Sequence, residues 1–575
     1  MFSLAATAHR IAATTKKLEK TALVAEYLKS LPKEDAARAA LFLSGRAFPV
    51  HEETTLGVGG SLLWQAVAAL SGRTEAELHN LYRTHGDLGA VAEAALPDRP
   101  ATLRLSDVET SLRQIAAARG PAPKSEAVRA LLETASPLEA KYIVKIMTGD
   151  LRIGLKESLV EEAIAKAYEV PLKDVQRANM LLGDIGATLK LAATNQLGEA
   201  RMRLFHPIDF MLASPAETAA DALGYFSDAH VEDKYDGIRA QAHISNGEVR
   251  LFSRTRDNIT ASFPELPDAL AGIPEDAILD GEIVAWSSAG DPPAVPGATR
   301  PTDSREARAL PFSVLQQRLG RKKVSDKMLH DIPVAYLAFD VLYAGGELLL
   351  NHPLHERAGI LERLLASRQP VAARARESQS RLVFDSDDGA SLTSVLRAPV
   401  FSAKTPDDLE ALFTAAQARG NEGLMIKDPN SLYTPGRRGK SWLKLKKELA
   451  TLDVVVTAVE YGHGKRIGVL SDYTFAVLDG EKLVNIGKAY SGLTDAEIAD
   501  MTKWFLEHTI DDQGMRLIVE PKVVLEVAFN NMMRSSRHES GYALRFPRIV
   551  RIRDDKLPAD ADTIETVKQI FERQK

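Results

Sequence analysis

The sequence predicts a multidomain chain in three parts: an all-α region, a mixed α+β region and a small C-terminal β-barrel. Three observations carry that reading. The chain has 575 residues, more than one hydrophobic core usually serves, so roughly two to four domains are expected. Its texture changes twice, near residues 205 and 447. Hydrophobic residues make up 45% and charged residues 26%, the balance of an ordinary globular protein.

Residues 1–205 are rich in Ala, Leu, Glu and Lys. Val24, Tyr27, Leu28 and Leu31 follow helical spacing, as do Val160, Ala163, Ile164 and Ala167. Gly183-Asp184-Ile185-Gly186 reads as a tight turn between helices. Pro207 and Pro215 bracket a linker. Residues 206–447 bring short β-rich runs at 248–253, 277–285, 334–342 and 424–426. One helix between them is marked at both ends, with Thr405 as N-cap, Pro406 at the first helical position, Asp407 and Asp408 in the first turn, and Gly420 as stop. The Pro-, Gly-, Ser- and Ala-rich stretch 286–310 reads as a mobile loop. Residues 448–575 give strands at 453–460, 472–478, 482–487 and 522–529. A helix at 495–508 interrupts them, an order that fits a small barrel.

There is no cysteine, which excludes disulfides and cysteine-ligated zinc or iron–sulfur sites and fits a reducing compartment. Residues 1–30 lack the apolar core of a signal peptide, and no run is long enough to span a bilayer. A cytoplasmic protein with no membrane association is expected, at the nucleoid if the source is bacterial. Lys and Arg total 72 against 78 acids, a net charge of −6, so contact with a polyanion has to be local. Two basic clusters supply candidates: Arg437, Arg438, Lys440, Lys444, Lys446 and Lys447, then Arg545, Arg548, Arg551, Arg553 and Lys556. A charge run by itself is usually a solvated face. Both clusters, however, alternate with apolar residues (Trp442, Leu443 and Leu445; Phe546, Ile549, Val550 and Ile552), the pattern of strands holding cations toward a cleft.

The most informative stretch is Glu232-Asp233-Lys234-Tyr235-Asp236-Gly237-Ile238-Arg239. A lone lysine is weak evidence, because most lysines are solvated. As a nucleophile it must lose its proton, through burial or a neighbouring cation. Arg239 is a candidate for that cation and for phosphate contact, Asp236 for orienting the sugar or the amine, and Glu232 for a base edge. Arg254 follows a strand. Asp280 and Glu282 share one side of another, which calls for a metal or a cation. Phe339 follows an apolar strand and is more often plain core than a stacking platform. Glu422 and Lys427 lie on a further strand, and Lys444 and Lys446 leave one face of their own. A lysine nucleophile, several phosphate-directed cations and acids suited to Mg²⁺ or Mn²⁺ together suit nucleotidyl transfer.

The ordered set resembles the covalent nucleotidyltransferase superfamily, and within it the three-domain ATP-dependent DNA ligases, over nearly the whole chain. Asp233 to Arg239 is similar to the adenylation motif. Ser253-Arg254, Asp280-Gly281-Glu282, Phe339-Asp340, Glu422 to Lys427 and Trp442 to Lys446 match the succeeding motifs in order. Arg545 to Arg548 and Arg553 to Lys556 match the last one, on an OB-fold, and Gly149 to Gly154 resembles the family's DNA-binding domain.

The resemblance implies a helical DNA-binding domain (1–205), an adenylation domain (206–447) and an OB-fold domain (448–575). It implies a monomeric enzyme, with nicked duplex DNA as partner, ATP as AMP donor and Mg²⁺ or Mn²⁺ as cofactor. Lys234 is implied as the catalytic residue. Glu232, Arg239, Arg254, Glu282, Phe339, Arg438 and Lys444 are implied in ATP binding, Lys446, Arg553 and Lys556 in further phosphate or pyrophosphate contacts, and Glu282 and Glu422 in metal binding. A capping-type guanylyltransferase or RNA ligase shares the lysine motif, but the long helical region argues against both. An NAD-dependent ligase is disfavoured by the lack of cysteine. A non-catalytic DNA-binding protein with a decayed transferase domain is opposed by the joint presence of Lys234, Glu282, Glu422, Lys444 and Lys446.

Overall fold

The computed structural model describes residues 1–52, 54–226, 228–287, 308–319, 321, 324–367, 394–446, 451–463 and 466–573. Most of the loop expected at 286–310 lies outside the described residues, as does Lys447. The chain forms two units, one of Met1–Asn179, Asp184–Ala200 and Glu448–Lys575, the other of Met180–Gly183 and Arg201–Lys447.

In the first unit the N-terminal part is helical throughout its regular structure. The helix Lys17–Lys29 buries Val24, Tyr27 and Leu28, and stops before Leu31. The helix Glu157–Tyr168 buries Val160, Ala163, Ile164 and Ala167. The expected turn at 183–186 is shorter than the sequence implied. Gly183 takes φ +61°, Asp184 caps the next helix by accepting from the Ala187 N–H, and Ile185 and Gly186 already belong to that helix.

Among the described residues the second unit holds two sheets. Its strands are β1 (Leu212–Ala216), β2 (His230–Lys234), β3 (Ile238–Ser245), β4 (Glu248–Ser253), β5 (Ala277–Ser287), β6 (Arg308–Ala309), β7 (Val334–Ala344), β8 (Glu347–Leu348), β9 (Ser394–Arg397), β10 (Phe401–Ser402), β11 (Gly423–Lys427) and β12 (Arg438–Lys446). One sheet has the order β1-β12-β11-β2-β10, and the other runs β4-β3-β5-β7-β8, with β6 on β5 and β9 on β7.

Strand alternation decides what each face carries. In the first sheet Val231, Leu424, Ile426, Leu443 and Leu445 pack with Ala219, Ala222, Leu409, Phe413 and Ala416 of two covering helices. The opposite face carries Glu232, Lys234, Met425, Lys427, Trp442, Lys444 and Lys446, since the register pairs Lys234 with Gly423, Gly423 with Lys446, and Met425 with both Glu232 and Lys444. In the second sheet Ala240, Ala242, Ile244, Leu279 and Ile283 enter the main core. The alternate positions carry Arg239, Gln241, His243, Asp280 and Glu282. Ile278, Met211, Tyr433 and Trp442 share a further cluster, against which Phe339 and Met425 pack, so the two polar faces meet over common apolar ground.

The C-terminal part of the first unit is strand-rich: β13 (Thr451–Tyr461), β14 (Leu470–Asp479), β15 (Lys482–Ala489), β16 (Thr509–Asp512), β17 (Arg516–Val519), β18 (Val524–Ala528), β19 (Asn531–Arg534), β20 (Tyr542–Arg545) and β21 (Arg548–Ile552). The long β13 pairs with β14 from Val455 to Tyr461, with β17 at one end and with β18 at the other. The expected helix, Asp495–Glu507, interrupts the strands with a capping box at Thr494 and Glu497. The fold class is therefore as the sequence predicted: helical, α+β, then strand-rich of OB type.

Candidate active site

Lys234 ends β2 and is followed by the tight turn into β3. That turn needs Gly237. A Cβ there would stand 2.3 Å from the Ile283 carbonyl oxygen and 2.8 Å from Cγ of Glu282, closer than real side chains come. The bare backbone thus lets the lysine-bearing turn sit directly on β5. The Lys234 ammonium pairs with the Glu422 carboxylate. Strict alternation back from Lys427 would send Glu422 to the far face. Gly423 reverses it with φ +144°, and a Cβ there would stand 2.2 Å from the Leu445 carbonyl oxygen. The Glu422 N–H donates to the Lys234 carbonyl at 2.8 Å.

Electrostatics tie these groups to their neighbours. Burial opposes the Glu422 charge, but Lys234 and Lys446 outweigh it and hold the carboxyl below its ordinary range. Burial pushes Glu282 up to about 8; Lys234 and Arg239 pull it down, while Asp280 and Glu422 push the same way as burial. Lys444 is lowered by burial and then by four cations: Lys446, Arg438, Lys234 and Arg254. Lys444, Lys446, Arg438, Arg254 and Lys234 therefore form one field, and a multiply charged anion is its natural complement.

Arg239 is placed differently from a free phosphate ligand. Its guanidinium meets Asp280 at 3.1 and 2.8 Å and donates to the Met211 carbonyl at 2.7 Å. It also lies 4.9 Å from the Phe210 ring centroid and 5.4 Å from that of Phe339. Asp280 accepts a further bond of 2.7 Å from the Tyr433 hydroxyl. The two acids of Asp280-Gly281-Glu282 are thus divided: Asp280 is spent on Arg239, and Glu282 is left beside Lys234.

On the same face as Lys234, Glu232 is buried and paired with Lys427 at 2.6 Å. Burial pulls Lys427 below its ordinary value, and Glu232 draws it back up. The Lys427 ammonium lies 4.5 Å from the centroid of Phe339 and 4.4 Å from that of Trp442. Arg397 stands 4.0 Å from Glu232. The sequence named Lys427 without a role and passed over Arg397. Alternation along β11 marked the face of Lys427, but its partner lies 195 residues away, beyond any local pattern.

Arg553 and Lys556 belong to the other unit, where both converge on Asp453. Arg553 meets it at 2.9 Å and also holds Asp555 at 2.8 Å, and Lys556 meets it at 2.6 Å. Among the described residues no group of three or more His, Asp or Glu side chains is placed to hold a metal by itself. Glu282 and Glu422 fit a magnesium-type ion, which takes one or two carboxylates and completes its shell with water and substrate phosphate.

A lysine paired with a carboxylate among clustered cations, on two facing sheets, is an arrangement that suits a nucleotidyltransferase. Comparison with known proteins narrows the class. Residues 1–165 match the family model described as DNA ligase N terminus, 210–446 the ATP dependent DNA ligase domain, and 466–556 the ATP dependent DNA ligase C terminal region. The chain is 56% identical to a "Probable DNA ligase" of Koribacter versatilis, over 99% of this chain and 96% of that one. It is 36% identical to a "DNA ligase" of Methanothrix thermoacetophila, over 98% and 97%. A solved structure described as Pmar-Lig_PreS3 shares the fold, with a TM-score of 0.60 at 16% identity over 96% of this chain and 99% of that one. The chain belongs to the ATP-dependent DNA ligase family. It is an enzyme that uses ATP and a divalent metal to join DNA.

Proposed function

We propose that Lys234 is the residue that carries AMP, and that the chain seals 5′-phosphate/3′-hydroxyl nicks in duplex DNA as a monomer in the cytoplasm. The lysine nitrogen attacks the α-phosphorus of ATP. A P–N bond forms, the bond from that phosphorus to the bridging oxygen breaks, and pyrophosphate leaves while the amine gives up its proton. AMP then passes to the 5′-phosphate of the nick, and the 3′-hydroxyl attacks that phosphorus, releasing AMP.

The observation that carries this reading is the position of Lys234, beside Glu422 and Glu282 and within the field of Lys444, Lys446, Arg438 and Arg254. Lys444, Lys446 and Arg438 would take the ATP phosphates, and Arg254 ribose or the nick ends. Glu232 and Phe339 would receive adenine, Phe339 by stacking. Arg239, held by Asp280, would shape the ribose side of the pocket instead of moving with phosphate. Glu282 and Glu422 would hold the divalent ion, whose chemistry is to neutralise phosphate charge. Arg553 and Lys556 would orient pyrophosphate, which requires the C-terminal domain to move between steps. Residues 1–205 would supply most duplex contact, 206–447 the adenylation chemistry and 448–575 the mobile OB-fold.

Incubation with α-labelled ATP and a divalent ion tests the central role. Acid-labile, alkali-stable label on Lys234 is expected. Lys234→Ala abolishes it and leaves nicked-duplex binding nearly intact; a labelled Lys234→Ala protein refutes the assignment.

A further inference from the structure

Asp233 lies between Glu232 and Lys234 in sequence, yet it leaves β2 on the opposite face, where it is buried. There it accepts three hydrogen bonds. Arg419 gives two, of 2.8 and 2.7 Å, and Asn421 gives one of 2.8 Å. Both donors sit on the short turn that ends the helix Pro406–Ala418 and leads into β11. The next residue of that turn is Glu422, whose carboxylate comes through to the near face and pairs with Lys234.

The position of Glu422 is fixed from both sides, on the C-terminal side by the pairing of Gly423 with Lys234 and Lys446. The residue after it is Gly423, whose φ of +144° belongs to a backbone free of side-chain restraint. Residues 419 and 421 hold Glu422 from the N-terminal side. A bidentate guanidinium–carboxylate pair on a buried acid is directional and resists distortion, and the Glu422 N–H adds a backbone bond of 2.8 Å to Lys234 itself. One carboxylate behind the strand therefore stitches the whole turn 419–422 to residues 233–234. A lysine side chain has four rotatable bonds, and the nitrogen must stand about 3–3.5 Å from phosphorus to react. Where Glu422 stands decides where the resting amine stands.

We propose that Asp233, Arg419 and Asn421 are positioning residues for the first chemical step, setting the place of Glu422 against the Lys234 amine. The inference rests on Lys234 being the adenylated residue. Arg419 is 41% exposed at its side chain, so its removal opens no core cavity.

The test uses the full chain, stripped of AMP with pyrophosphate, with α-labelled ATP and Mg²⁺. Peptide mapping of the unsubstituted enzyme first locates the label; label on another residue overturns the reading of Lys234 and this inference with it. Arg419→Ala, Arg419→Lys and Asn421→Ala are then compared in single-turnover adenylation. Arg419→Ala is expected to slow lysine adenylation by roughly 10- to 100-fold, with KM for ATP little changed. Sealing of a nick that already carries 5′-AMP, which needs no lysine chemistry, should lose far less than adenylation does, and Arg419→Lys should recover part of the loss. Asn421→Ala, missing one bond of three, should show the same split in smaller measure, and it carries the comparison alone if Arg419→Ala does not fold. Label on Lys234 with unchanged adenylation in the variants overturns the inference alone. Equal loss of adenylation and of pre-adenylated nick sealing also overturns it, because that pattern marks a general structural role.

Discussion

Asp340 and Arg357 are both fully enclosed and meet through two bonds of 2.8 Å, while Arg357 also donates to the Ser431 carbonyl at 3.1 Å. Removing one member leaves a charge buried without its counter-charge, so Arg357→Ala should cost about 3–5 kcal/mol of stability. Denaturant unfolding checks this, and a loss below ~1 kcal/mol would show that water reaches Asp340. His243 makes a different prediction. It is fully buried, accepts from the Phe205 N–H at 3.0 Å, and burial followed by the charge of His206 depresses it to about 3. The unfolded chain binds a proton below its ordinary value near 6.5, while the folded chain resists until about 3. Stability should therefore be complete above pH ~6.5 and fall as pH drops through that window, by at most about 1.4 kcal/mol per pH unit from this group. In His243→Gln the fall in Tm between neutral pH and pH ~5 should be shallower; an unchanged slope would place the effect elsewhere.

At the scale of elements, two glycines let strands approach more closely than side chains permit. Gly237→Ala would drive a methyl into the Ile283 carbonyl, and Gly423→Ala one into that of Leu445. Each should cost about 1–3 kcal/mol and slow adenylation more than the stability loss explains, because each glycine seats a residue beside Lys234. Thermal unfolding alongside single-turnover labelling separates the two effects, and a Gly423→Ala enzyme that labels at the normal rate refutes the seating role. The same elements show what the sequence makes legible. Period-two alternation identified the face of Lys444 and Lys446, and cap chemistry placed the helix beginning at Pro406. Alternation failed at Glu422, because a backbone angle at the following glycine moved it across the sheet. It also could not say that Asp280 would be taken by Arg239, since that pairing needs β3 and β5 side by side. Lys427 and Arg397 were invisible as partners of Glu232 for the same reason. Contacts within a strand are written locally; contacts between distant strands are set by packing.

For the whole molecule, the net charge of −6 means that DNA is met through local cationic patches. Affinity for a nicked duplex should fall steeply with salt, on the order of 10³-fold or more between 50 and 200 mM if six or more phosphates are neutralised. A flat salt response in equilibrium binding would exclude phosphate-dominated contact. Removal of residues 1–205 should weaken duplex binding far more than self-adenylation, and equal loss of both would refute that division of labour. No described helix is long and apolar enough to cross a membrane.

Glu422 pairs with Lys234 and is also drawn toward Lys446. With Lys234 as the nucleophile, the enzyme at rest would hold an anion of its own where the nucleotide's phosphates arrive. An incoming phosphate would displace that carboxylate from Lys234 and at the same time meet Lys444, Arg438 and Arg254. On the proposed cycle the ion pair can form again only after AMP has passed from Lys234 to the nick and the freed amine has regained its proton, so the tethered acid would mark the enzyme that is ready for its next nucleotide.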